Sequence, residues 1–89
     1  MKIKLELFGA SRDFSNKDHL EFNMKQKMEI KDFRKEIINY LSKNFKGNES
    51  FIKIVKNSVF CSEDNNIIND DFKIIKDQKI AIIPPIGGG

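Results

Sequence analysis

The residues best suited to chemistry are the last six of the sequence, in which two prolines, an isoleucine and three glycines follow an apolar segment. Proline fixes φ and stiffens the backbone, whereas glycine has no Cβ and leaves the backbone thin and permissive. A stretched segment of this length reaches about 20 Å, which is enough to enter the active site of another protein. The sequence therefore predicts a stiff stalk with a narrow tip, formed by Pro84, Pro85, Ile86, Gly87, Gly88 and Gly89.

The chemistry that suits such a tip is activation of its terminal carboxylate. A nucleotide joined to the carboxyl group of Gly89 would make the carbonyl carbon electrophilic, and a sulfur nucleophile could then displace the nucleotide. Side chains near the tip would obstruct this attack, whereas bare backbone leaves the carbon approachable inside a closed channel. The alternative is a glycine-rich end without a function, since chain termini are commonly poorly ordered. Attachment of the glycines, through Ile86, to a Pro-Pro pair and a predicted strand favours the first interpretation.

The elements that must position this tail begin with two strands and a helix. Residues 2–8 alternate polar and apolar, and alternation returns at Leu20, Phe22 and Met24, which predicts an antiparallel pair of half-buried strands. From about residue 30 the period becomes helical. Gly47 and Asn48 then predict the end of the helix, while Glu29 is a weaker residue for its start than Ser, Thr or Asp. The apolar stripe of the predicted helix consists of Ile30, Phe33, Ile37, Leu41 and Phe45.

The second half of the chain predicts further strands. Apolar residues between 52 and 60 indicate one or two short strands with a bend at residues 56–58, and residues 61–78 read as loops around short apolar patches. Residues 79–83 are apolar enough for a central strand buried on both faces, which the two prolines end. The predicted fold class is therefore α+β, with a domain of residues 1–83 and a flexible tail of residues 84–89.

Composition limits the function classes. The chain has 89 residues, of which 39% are apolar and 33% charged, which is typical of one globular domain with a small core. Apolar runs are too short to span a bilayer, and the alternating N-terminus does not resemble a signal peptide. The lone Cys61 suits a reducing compartment, so we expect a cytoplasmic protein. The net charge of +3 is spread along the chain, which disfavours a nucleic-acid-binding stripe.

Candidate catalytic or metal-binding side chains are few. His19 has no second His or Cys at ligand spacing, so it is expected to be a surface or edge residue, and no metal site is predicted. Cys61 lies close in sequence to Glu63 and Asp64, a setting that does not favour a reactive thiolate. Arg12 could tether the first loop or face solvent. No phosphate-binding loop, nucleophile elbow or zinc-protease motif is present, which disfavours an independent enzyme.

The sequence resembles the MoaD family, the small subunit of molybdopterin synthase, within the wider group of ubiquitin-like sulfur carriers. The most specific part is residues 80–89, an apolar strand followed by Pro-Pro, an aliphatic residue, a variable position and Gly-Gly. Weaker similarities lie at residues 7–14, around an Arg-acidic-apolar trio, and at residues 30–34, which open the helix. The sequence departs from the family at Asp77-Gln78, where Gly-Asp is common, and the stretch after Asn57 is longer than usual.

This resemblance implies a ubiquitin-like β-grasp fold, in which a mixed sheet is covered by one main helix and the C-terminal Gly-Gly tail extends away. It implies that Gly89 carries sulfur as a thiocarboxylate after adenylation by a MoeB/ThiF-like partner, which uses ATP and magnesium. The tail would then enter a MoaE-like large subunit in a heterotetramer and give the sulfur to a cyclic pyranopterin. No permanently bound cofactor is expected, and the chain would act as a carrier and co-substrate.

Three alternatives to a molybdopterin role are kept open. The chain could be a ThiS-like carrier for thiazole synthesis, or a ubiquitin-related modifier for tRNA thiolation or protein conjugation. Resemblance to these carriers is weaker because they generally lack the pair Pro84-Pro85. An alternative of another class is a β-grasp interaction module without sulfur chemistry.

Overall fold

The structure is a computed structural model that describes residues 1–86, so the predictions for Gly87, Gly88 and Gly89 lie outside the described residues. Seven strands, two α-helices and one 3-10 helix follow one another within this range. Their bounds are β1 (Lys2–Leu7), a 3-10 helix (Gly9–Phe14), β2 (His19–Asn23), β3 (Met28–Glu29), α1 (Ile30–Asn44), α2 (Glu49–Asn57), β4 (Val59–Cys61), β5 (Ile67–Ile68), β6 (Lys73–Ile74) and β7 (Gln78–Ile83).

The main sheet has five strands in the order β2-β1-β7-β4-β5. Strands β1 and β2 are antiparallel, with Leu5 opposite Leu20, and β1 and β7 are parallel, with Leu5 opposite Ile80. The predicted mixed sheet and its first antiparallel pair are therefore confirmed. Because β1 and β7 are parallel, their C-terminal ends lie at the same end of the sheet. Strands β3 and β6 form a separate two-stranded sheet.

One face of the main sheet is buried by α1. The alternation of β1 places Ile3, Leu5 and Leu7 on this face, where each is at most 2% exposed. The predicted helical stripe supplies the other side, and Phe33 contacts the rings of Phe22 and Phe60 at centroid distances of 5.3 and 6.3 Å. Burying an aliphatic or phenyl side chain of this size contributes about 1.5–3 kcal/mol. The predicted helix across the sheet is confirmed by this packing.

The start of α1 is secured by a distant loop as well as by its own cap. Glu29 occupies the cap position, and its backbone N–H donates to Asp32 Oδ2 at 3.2 Å. The next two backbone N–H groups, those of Ile30 and Lys31, donate to the carbonyl oxygens of Phe72 and Asp70 at 3.0 Å. These bonds satisfy donors that a helix leaves unpaired in its first turn. A weak cap residue is sufficient because the loop before β6 supplies the missing acceptors.

The prediction of a strand at residues 52–55 is wrong, because these residues belong to helix α2. Asn48 caps this helix by accepting a hydrogen bond from the backbone N–H of Phe51 at 3.2 Å. The Phe51 ring packs between Phe14 and Phe45 at centroid distances of 5.1 and 5.0 Å, and Val55 lies one turn later in the core. Phe51 and Val55 are four residues apart and therefore lie on one face of α2. Their packing outweighs the strand propensity of the β-branched residues. The predicted strand at Val59 and Phe60 is confirmed as β4.

Strand β7 is central, as predicted, but it is buried on one face only. Ile80 and Ile82 are fully buried against the helices, whereas Ala81 and Ile83 on the other face are half-buried. The prediction of burial on both faces is therefore wrong, because no second layer of the described chain covers the outer face. Two apolar patches of the segment predicted as loops form the short strands β5 and β6.

Candidate functional site at the tail exit

The chain leaves the body of the domain at Pro84. This proline is buried, Pro85 is exposed, and the side chain of Ile86 is 97% exposed. Pro84 packs over Gly9, whose backbone carries a φ of +55° where the 3-10 helix begins. The described part of the predicted stalk thus has a fixed base and an exposed end. The division into a domain of residues 1–83 and a tail of residues 84–89 stays a prediction.

A tight turn after β1 holds the base of the stalk. The fully buried Ser11 donates its hydroxyl to the carbonyl oxygen of Phe8 at 2.6 Å and accepts from the backbone N–H of Phe8 at 2.9 Å. This closed pair of hydrogen bonds satisfies both backbone groups of Phe8 without a ladder partner. The turn therefore ends β1 and places Gly9 directly beneath Pro84.

Apolar side chains extend from the tail exit across the uncovered face of the sheet. Phe8 and Val59 are each 45% exposed and Ile67 is 70% exposed. Val59 is paired with Ile83, the residue before Pro84, so both side chains lie next to the base of the tail. Contiguous exposed apolar surface commonly marks a site of interaction with another protein. We define the open-face patch as Phe8, Val59, Cys61, Ile67, Ala81 and Ile83.

The other half of the same face is polar. Lys2 pairs with Glu21 at 3.4 Å, and His19 Nδ1 lies 2.9 Å from Asp18 Oδ1. The hydrogen bond from His19 lowers the pKa of Asp18, and the hydrogen bond from Lys2 lowers the pKa of Glu21. Both carboxylates are therefore ionised at neutral pH. The apolar part of the open face is restricted to β7, β4, β5 and the turn after β1.

The remaining candidate side chains lie apart from one another. His19 lies on β2, an edge strand of the main sheet, and Cys61 is half-buried within the open-face patch. Arg12 is exposed, and among residues 1–86 its side chain forms no hydrogen bond to another residue. Across the same range, no three His, Cys, Asp or Glu side chains are grouped so that they could bind a metal ion. None of these residues adds a catalytic constellation to the tail exit.

Neither of the two α-helices within residues 1–86 is long enough and apolar enough to cross a bilayer.

The sequence predicts a site on the tail, but it does not predict two features of the surrounding surface. Phe8 and Val59 were not predicted as site residues, although each is a large apolar residue at an outward position of a predicted strand. The contacts of α2 were also missed, because residues 52–55 were predicted as a strand. The signal in the sequence is a large apolar residue at a strand position where the alternation predicts a solvent-facing side chain. This signal could have identified the patch.

Comparisons with known proteins agree at the level of the fold. No protein-family model and no curated protein matches the sequence. A solved structure from Pyrococcus furiosus, assigned as molybdopterin converting factor subunit 1, aligns with a TM-score of 0.70 and 17% identity over 96% of this chain and 98% of that one. SAMP1 from Haloferax volcanii aligns with a TM-score of 0.68 and 11% identity over all of both chains.

These matches, together with the sheet order and the covering helix, show that the chain has a ubiquitin-like β-grasp fold. The predicted fold is thereby confirmed. The structural resemblance extends over essentially the entire domain and includes a protein of the molybdopterin converting factor type.

Proposed function

We propose that this chain is a sulfur carrier that is loaded and unloaded at the carboxylate of Gly89. The observation that carries the proposal is the geometry of the exit: β7 is central, Pro84 lies against Gly9, and Ile86 is 97% exposed three residues after Ile83 of the open-face patch. A partner that docks on the open-face patch would meet the tail at a fixed position. Its own active site could then enclose the slender tip.

In the proposed cycle, a MoeB/ThiF-like enzyme uses ATP and magnesium to convert the Gly89 carboxylate into an acyl adenylate, releasing pyrophosphate. Hydrosulfide then attacks the carbonyl carbon, AMP leaves, and a thiocarboxylate remains. The thiocarboxylate sulfur then attacks a carbon of the acceptor and displaces an oxygen leaving group, which gives a thioester. Water attacks the carbonyl carbon of this thioester, so that the sulfur stays on the acceptor and the carboxylate is restored. The chain contributes the carbonyl carbon and its placement, while the partners contribute the catalytic groups.

The acceptor that we propose is a cyclic pyranopterin bound to a MoaE-like large subunit, in a heterotetramer in the cytoplasm. One observation favours this route over the other carriers, the Pro84-Pro85 pair, and the fold match to a molybdopterin converting factor subunit is consistent with it. The match to SAMP1 has nearly the same TM-score, so the fold alone does not choose between carriers. A ThiS-like carrier and a ubiquitin-related modifier are the alternative carriers. An interaction module is the alternative without sulfur chemistry.

Intact-mass analysis tests the carrier proposal. The protein is incubated with the adenylating enzyme, ATP, magnesium and sulfide, and the expected product is heavier by the exchange of one oxygen for sulfur, located at Gly89 by fragmentation. Deletion of Gly89, or a C-terminal tag, should abolish this product and leave the thermal unfolding midpoint unchanged. Full loading of the deleted protein would overturn the proposal. Adding the large subunit and pyranopterin then separates the molybdopterin route from the alternatives.

A further inference from the structure

A second surface adjoins the tail exit on the helix side of the sheet. It is a groove of about 430 Å³ between the 3-10 helix, α2 and the two prolines, and we call it the α2 groove. Its apolar lining is formed by Ala10, Ile54, Pro84 and Pro85. Its polar lining comes from α2 alone and consists of Ser50, Lys53 and Asn57.

The lining of the α2 groove includes one cation, Lys53. Lys53 is exposed on α2, and within residues 1–86 it forms no ion pair with a carboxylate. Asn57 is held on the helix, because its Nδ2 donates to the carbonyl oxygen of Lys53 at 2.9 Å. Packing of α2 uses Phe51 and Val55 instead, so the folded domain does not require the groove residues to be cationic. An uncompensated cation at the edge of an apolar groove attracts an anionic partner and contributes to its orientation.

The groove and the open-face patch lie on two sides of one stalk. Pro84 and Pro85 line the groove, while Ile83, the residue before them, belongs to the open-face patch. A protein that encloses Ile86 and the residues after it must therefore cover surface on both sides of the sheet edge. The open-face patch offers only apolar contact, whereas the groove also offers charge. The groove is the part of this surface that could select a partner by charge.

We propose that the α2 groove receives a segment of the adenylating enzyme that carries one carboxylate beside an aliphatic side chain. The carboxylate pairs with Lys53, and the aliphatic side chain covers Ala10 and Pro85. A small free anion would leave the apolar lining uncovered, so the chemistry of the groove fits a protein segment. This inference rests on the proposed function, because it assigns a contact to the partner that loads the tail.

The test measures ATP–pyrophosphate exchange by the adenylating enzyme as the concentration of full-length carrier is varied. Lys53→Glu should raise the apparent KM about tenfold, with kcat unchanged and with the difference shrinking at high salt. Lys53→Arg should keep the wild-type KM. The matched control is Lys76→Glu, an equal charge reversal on the loop before β7, at the end opposite to the tail exit. It should stay within about twofold of wild type.

The outcomes separate this inference from the carrier proposal. Wild-type carrier that supports no exchange overturns both. Normal wild-type exchange with equal KM values for Lys53→Glu and Lys76→Glu overturns only the groove. Ala10→Tyr gives a second arm, because a phenol in the exposed groove should also raise the KM without lowering the unfolding midpoint. Sedimentation that shows a Lys53-dependent dimer of the isolated chain would assign the groove to a second copy and overturn the proposed occupant.

Discussion

Pro84 lies against Gly9, with its Cγ and Cδ atoms 3.9 Å from the position that a Cβ atom on Gly9 would occupy. That distance is an ordinary van der Waals contact, so space for a methyl group is available. The constraint is the backbone of Gly9, whose φ of +55° lies in the left-handed region that residues with a Cβ rarely adopt. The first residue of the stalk is therefore positioned by a turn whose conformation favours glycine.

Substitution of Gly9 should affect both stability and the tail. Gly9→Ala should lower the free energy of unfolding by about 1–2 kcal/mol, because the left-handed conformation becomes costly, and Gly9→Asn should cost less. Urea denaturation measures both values. Gly47→Ala is the matched control, since Gly47 has a φ of +72° and a Cβ atom there would contact no other part of the described chain within 4 Å. We expect a similar loss of stability from this control and slower sulfur loading only from Gly9→Ala; equal loading rates would contradict this role of Gly9.

Arg34 joins α1 to the end of α2 and should be a major determinant of stability. Its Nη1 donates to the carbonyl oxygens of Val55 and Ser58 at 2.7 and 2.8 Å, and its guanidinium lies 4.8 Å from the ring centroid of Phe60. Arg34→Met should lower the free energy of unfolding by about 2–4 kcal/mol, because two partly buried acceptors lose a charged donor. Chemical denaturation checks this value.

The control for Arg34 is the exposed ion pair that it forms with Asp70 at 2.9 Å. Asp70→Asn removes that charge and leaves both carbonyl contacts of the guanidinium intact, so its cost should stay below about 1 kcal/mol. Equal losses from Arg34→Met and Asp70→Asn would mean that the ion pair, and not the carbonyl contacts, accounts for the stabilisation.

The sequence correctly predicts the elements whose hydrophobic pattern continues over many consecutive residues. Six alternating residues define β1, and four apolar residues at helical spacing define the stripe of α1, while the fifth predicted residue, Phe45, follows the last helical residue as its C-cap. Helix α2 was mispredicted because Ile52, Ile54 and Val55 have strand propensity, while the acceptor that starts the helix is a single Asn48 side chain. Its decisive contacts, the rings of Phe14 and Phe45, come from elsewhere in the chain.

The site was partly predictable for the same reason. Pro84 to Gly89 stand together in the sequence, so the composition of the tail could be read directly. The open-face patch brings together residues 8, 59 and 83, which are far apart in sequence and meet only through the register of β1, β7 and β4. Sequence periodicity assigns each strand a buried face but does not give the order of the strands, and that order creates the patch.

The open-face patch should contribute partner affinity without contributing much stability. Phe8→Ser combined with Val59→Ser should weaken binding of the adenylating enzyme about tenfold, because apolar area that docking would bury is removed. Both side chains are 45% exposed, so the unfolding midpoint should change little. Calorimetric titration measures the affinity. Ile75→Ser is the control, an apolar residue 56% exposed on the loop after β6, and an equal loss of affinity there would argue against a localised patch.

Acid stability should depend on the carboxylate of Asp18. The hydrogen bond from His19 lowers the pKa of Asp18 in the folded protein, and an unfolded aspartate has a pKa of about 3.9. A depressed folded-state pKa stabilises the fold above the unfolded value and loses this contribution as the pH falls through the folded value. Asp18→Asn should therefore lower the unfolding free energy at pH 6, with the difference lost as the pH falls below the unfolded pKa and through the lower folded-state pKa. Urea denaturation over this pH range measures the difference, and a difference that does not change with pH would contradict this role of Asp18.

Two neighbouring glycines of the tail should differ in their tolerance of a side chain. Gly88→Ala places a methyl group one residue from the carbonyl carbon that is adenylated. Gly87→Ala adds the same group at the position that varies in the MoaD family, which this sequence resembles. Misplacement of a reacting group by about 1 Å can slow a positioned reaction by about a hundredfold. We expect a loss of this size in thiocarboxylate formation for Gly88→Ala and a change of less than about fivefold for Gly87→Ala. Single-turnover loading followed by mass spectrometry compares them, and equal rates would show that the narrow tip is not what the activating enzyme requires.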